Sequence, residues 1–95
     1  MEVELKNLGT ANKNQVILTS KNFEVNLFFS YSTLVAVNDA VSENKLWSAT
    51  TEKLLNDLQP DKKKRVPHAK VLEEAKRLIK MVVQDDYEAE EVNLV

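Results

Sequence analysis

The chain has 95 residues, no cysteine, one glycine and one histidine, with 43% hydrophobic and 29% charged side chains and a formal net charge of -2. That length suits one domain around one core, and the composition is that of a globular chain that folds without a metal or a disulfide. Without cysteine, disulfide scaffolds, Cys-ligated zinc and thiol chemistry are excluded, which fits a reducing compartment.

A first strand is expected near residues 2–8, where Val3 and Leu5 alternate with Glu2, Glu4 and Lys6. Gly9 and the polar residues 10–14 connect it to a second, β-branched strand over 15–19. Ser20, Lys21 and Asn22 read as a turn. From Phe23 the residues Val25, Leu27 and Phe29 recur with period two, so a third strand buries one face. The hydroxyl run 30–33 breaks the alternation, Leu34 to Val37 resumes it, and the segment 40–47 is expected to add a short fifth strand. Connections this short exclude parallel crossovers, so the strands form an antiparallel meander.

Ser48 is placed to cap a helix over about 49–58, with Glu52 near its positive end and Leu54, Leu55 and Leu58 on one side. Pro60 ends it, and Lys62 to Arg65 follow as an exposed loop. Pro67 suits the opening of a second helix whose Val71, Leu72, Ala75, Leu78, Ile79, Val82 and Val83 form one apolar stripe. The fold class expected is α+β, a meander of four or five strands followed by two helices packed on the sheet. Residues 1–84 make that single domain, and residues 85–95 read as an acidic, flexible C-terminal tail.

Charge is distributed unevenly. Residues 60–80 carry eight basic and three acidic side chains, whereas residues 84–95 carry five acidic and no basic ones. One candidate nucleic-acid surface is therefore Lys62, Lys63, Lys64 and Arg65 with Lys70, Lys76 and Arg77 on the second helix. An acidic pI near 5.4 and the absence of a base-reading helix after a tight turn weaken that reading. A protein-binding surface is expected instead from Phe28, which lies out of phase with the buried alternation, from Tyr31, and from the tail acids Asp85, Asp86, Glu88, Glu90 and Glu91.

Catalysis finds little support in the residue inventory. His68, the one histidine, opens a helix away from any serine pairing, a single glycine leaves no phosphate-cradling loop, and no metal-ligand spacing occurs. Neither an enzyme, a cofactor nor a metal is expected. The N-terminus lacks a signal-peptide pattern and no apolar run spans a membrane, so a soluble cytoplasmic protein without a membrane partner is expected.

The runs Phe29-Ser30-Tyr31-Ser32-Thr33-Leu34-Val35-Ala36 and Trp47-Ser48-Ala49-Thr50-Thr51, with Leu55-Asn56, resemble a group of short proteins encoded by phages and other mobile elements. The resemblance spans about residues 16–67, with Leu54 and Leu34 standing where such proteins often have histidine and proline respectively. It implies a viral or mobile-element origin, hence a host-cell cytoplasmic setting, and carries no activity. The function expected is non-catalytic binding of a macromolecule: a host protein that is modulated or inhibited, or a second copy of the chain. Nucleic-acid binding through the basic loop and second helix is the alternative.

Overall fold

Turns of a few residues oblige neighbouring strands to run antiparallel, and β1 (Glu2–Asn7), β2 (Lys13–Thr19), β3 (Glu24–Ser30), β4 (Thr33–Val37) and β5 (Ala40–Val41) pair in chain order as one sheet. Two helices follow, α1 (Ala49–Leu58) and α2 (His68–Asn93), completing the α+β meander expected from the sequence. The computed structural model describes residues 1–9 and 12–93, with side chains described as far as Tyr87. Among the described residues, no helix is long and apolar enough to cross a membrane.

Register assigns each apolar residue to a face. Val3 lies opposite Leu18 and Leu5 opposite Val16, while Leu18 and Val16 in turn oppose Val25 and Leu27. Directly opposed side chains share a face, so these residues form one apolar surface. α2 covers its centre with Val71, Ala75 and Val82, all buried, and with half-buried Leu78 and Ile79. Leu72 and Val83, at the margin of the helix stripe, remain exposed.

The second face is also covered, by α1. Phe28 opposes Ala36 and Ala36 opposes Val41; this layer packs under Leu54 and Leu55 of α1. Phe28 is therefore half-buried against a helix rather than free for a partner. A register shift between Phe28 and Phe29 places both Val35 and Ala36 in the α1 layer, the extra residue of a β-bulge.

The chain passes from one face to the other at the sheet edge. The short fifth strand expected within 40–47 is β5, two residues long, beyond which Ser42 pairs with Val66 in a parallel bridge. Glu43 N donates to Val66 O at 2.8 Å and Val66 N to Val41 O at 2.9 Å. Extended backbone sends successive side chains to opposite faces. Arg65 accordingly turns under α1 while Val66 joins the α2 layer.

Residues 85–93, expected as a tail, continue α2 instead. Glutamate and alanine are good helix formers, and Asp85 and Asp86 both hold the sheet. Asp85 accepts from Asn22 N at 2.9 Å and Asn22 Nδ2 at 2.8 Å, and Asp86 pairs with the Met1 amino group. The side chains of Glu88, Glu90 and Glu91 lie outside the described set.

Candidate interaction site

The two sequence stretches 29–36 and 47–51 converge where β3 ends and α1 begins. Ser48 is the N-cap of α1, its Oγ accepting from Thr51 N at 3.3 Å. Thr51 Oγ1 shares a hydrogen bond of 2.7 Å with Ser30 Oγ, both residues buried. Ser30 follows Asn26 and Phe28 by strand parity, so β3 aims it at the α1 face. A buried hydroxyl left alone costs about 1–3 kcal/mol, so this pair fixes the helix start on the strand end.

Trp47 is held from both sides. Its backbone N donates to Asn44 Oδ1 at 2.7 Å, and Asn44 Nδ2 donates to Glu52 Oε2 at 2.7 Å. The His68 ring stands edge-on to Trp47, centroids 5.1 Å apart at 85°. His68 Nε2 lies 2.9 Å from Leu34 O, so this histidine anchors α2 to β4.

Ser30, Tyr31, Thr33, Val35, Trp47, Ser48 and Thr51 line an open cavity of about 230 Å³. Tyr31 is 53% exposed and adopts φ 56, a left-handed conformation that tyrosine rarely takes. Its backbone N donates to Asn12 O at 2.6 Å, which pins the turn. Leu46, next to Trp47, also has a positive φ of 60 and is fully exposed.

The basic residues are not gathered into one surface. Lys62, Lys63 and Lys64 occupy a 3-10 turn capped by Asp61, and Lys62 Nζ lies 3.8 Å from Glu52. Arg65, expected to be exposed beside them, has only 2% of its side chain accessible. Its Nη1 donates to Glu52 Oε1 at 3.0 Å, Nη2 to Asn56 Oδ1 at 2.7 Å and Nε to Gln59 O at 3.1 Å. Arg77 pairs with Glu74. Lys70 and Arg77 line a shallow groove of about 550 Å³ beside Asp39 and Glu74, so positive charge there is offset by negative. Lys76 is exposed on α2. Among the described residues no group of three or more His, Asp or Glu side chains is placed to hold a metal.

Hydrogen bonds from Asn44 and then Arg65 hold the Glu52 carboxyl below its ordinary pKa of 4.5. Asp85 is lowered below 3.8 by hydrogen bonds from Ser20 and Asn22. A carboxylate whose folded pKa is depressed contributes stability above its unfolded pKa and loses it as pH falls through the folded value. The urea midpoint is therefore expected to hold from neutrality to about pH 5 and to decline below about pH 4.5. Glu52→Gln should make that decline shallower; an acid limb identical to the parent's would show that Glu52 is not coupled to folding.

A family model described as "Family of unknown function (DUF8033)" matches residues 3–74, and the chain belongs to that family. The match takes in every residue of the Tyr31–Trp47 cavity and stops short of Asp85 and Asp86. No curated protein and no solved structure matches the chain.

Proposed function

We propose that this member of the family is a non-catalytic protein-binding domain whose contact centre is the cavity between Tyr31 and Trp47. The observation that carries the reading is the convergence of two distant stretches on one open cavity with an exposed tyrosine at its rim. A volume of about 230 Å³ is below the range usual for small-molecule and cofactor sites. It is suited to one anchoring side chain of a partner, and tyrosine and tryptophan are enriched where binding energy concentrates. Rigid presentation supports the same reading, because a left-handed tyrosine is strained and strain of this kind collects at functional positions.

All seven lining residues fall within the stretches that resemble phage and mobile-element proteins. A viral or mobile-element origin belongs to the proposal, with a protein of the host cell as the partner. The basic residues support a nucleic-acid contact less well, since Arg65 is buried and Lys62 and Arg77 are paired with acids.

Tyr31→Gly tests the reading without unfolding the domain. Glycine accepts the positive φ and keeps the N–H that bonds Asn12 O, so stability should hold or rise by about 0.5–1 kcal/mol. Affinity for the species captured from nuclease-treated host lysate should fall at least about tenfold, in keeping with an aromatic anchor. Tyr31→Phe should retain most of it. Equal binding by Tyr31→Gly and the parent, measured by calorimetry, would remove the cavity as the contact.

A further inference from the structure

The side of the sheet away from β5 is closed by β1, every residue of which is exposed. Val3 and Leu5 are 64% and 71% accessible, although they extend the apolar face that α2 covers farther in. α2 lies over β4 and β3 and reaches β2, so its cover thins toward β1. Asp86, three residues beyond exposed Val83, reaches the Met1 amino group, which turns this flank of α2 toward β1. An uncovered apolar strip thus runs along an open edge.

Open edges in monomeric proteins are commonly protected by charges that repel a second strand. β1 carries Glu4 and Lys6 on its other face, charges of opposite sign two residues apart. A two-fold axis perpendicular to the sheet pairs residues of like parity. Centred on Leu5, it sets Leu5 against Leu5 of a second copy on the apolar face and Glu4 against Lys6 twice on the polar one. Centred on Glu4, it opposes Glu4 to its own copy while Glu2 meets Lys6 twice; centred on Lys6, it opposes Lys6 to its own copy. Only the Leu5 register pairs opposite charges without setting any like charges against each other.

We infer that β1 is the seam of a symmetric dimer, pairing antiparallel with β1 of a second copy about Leu5, so that the two sheets become continuous. Strand addition of this kind gains backbone hydrogen bonds along the edge and an isologous contact. The inference is independent of the Tyr31–Trp47 cavity, which lies at the far end of β3 and the start of α1. A single strand seam is small, which makes the dimer concentration-dependent rather than permanent.

Charge exchange on the full chain tests it by sedimentation equilibrium. The parent should show a reversible monomer–dimer equilibrium. Lys6→Glu and Glu4→Lys each set like charges opposite one another twice, and each should weaken the dimer about tenfold or more. The double variant Glu4→Lys/Lys6→Glu restores both opposite pairs in the Leu5 register and should recover dimerisation, which it cannot do in the Glu4-centred one. Since both residues are exposed, far-UV circular dichroism should be unchanged throughout. A parent that stays monomeric at concentrations on the order of 1 mM, single variants that dimerise like the parent, or a double variant that does not recover would each overturn the inference.

Discussion

Arg65→Ala should destabilise the domain by about 3 kcal/mol, the scale seen when one partner of a buried ion pair is removed. The guanidinium makes three hydrogen bonds to α1 or its C-terminal end, at Glu52, Asn56 and Gln59 O. Its loss leaves the Gln59 carbonyl and the Asn56 amide oxygen without that donor and Glu52 without its nearest cation. The side chain also sits at the crossing from α1 to α2, so the defect lies where both helices are tied to the sheet edge. A domain of this size holds about 5–15 kcal/mol in total, and the loss should lower the melting temperature by about 15 °C.

Arg65→Lys should recover only part of that, because an ammonium lacks the planar fork that reaches three acceptors. Urea denaturation checks both variants: the midpoint should fall while the slope stays constant. An Arg65→Ala midpoint equal to the parent's would mean that Arg65 is not a clamp, and a basic-loop role for it would return.

Leu55→Ala should cost about 3 kcal/mol, near the middle of the range for burying and then deleting a leucine side chain. Leu55 is fully buried beneath α1 with Val35, Ala36, Val41 and Leu54, so truncation opens a cavity between helix and sheet. Leu46 supplies the contrast nine residues earlier. It is fully exposed, so Leu46→Ala should be neutral, and Leu46→Gly should gain about 0.5–1 kcal/mol by relieving its left-handed backbone. Thermal denaturation of the three variants separates the two leucines. A neutral Leu55→Ala would show that α1 does not cover the second face, and Phe28 would again be free for a partner.

The amino-acid sequence by itself determined the local elements. Alternation at Val25, Leu27 and Phe29 marked β3, Ser48 capped α1 within the range expected, and the stripe from Val71 to Val83 marked α2. These signals are local: they depend on a period of two or 3.6 and on the amides of a single helical turn. The same locality explains the tail. Acidic residues 85–91 read alike whether solvated or helical, and only Asn22 and the Met1 amino group, distant in sequence, settled where Asp85 and Asp86 point.

Tertiary structure alone decided which face each helix covers. Periodicity shows that a helix has an apolar side but not which layer receives it, so α1 over Phe28 was invisible until the strands were paired. Arg65 is the sharpest case: four consecutive basic residues look equivalent as sequence, yet extended backbone beside Ser42 turns one of them inward onto Glu52. The cavity of Ser30, Tyr31, Trp47 and Thr51 arises likewise, from two stretches brought together by the packing of α1 on β3 and β4. Contacts between residues far apart in sequence follow from register and layer, and neither is written in the spacing of a single strand or helix.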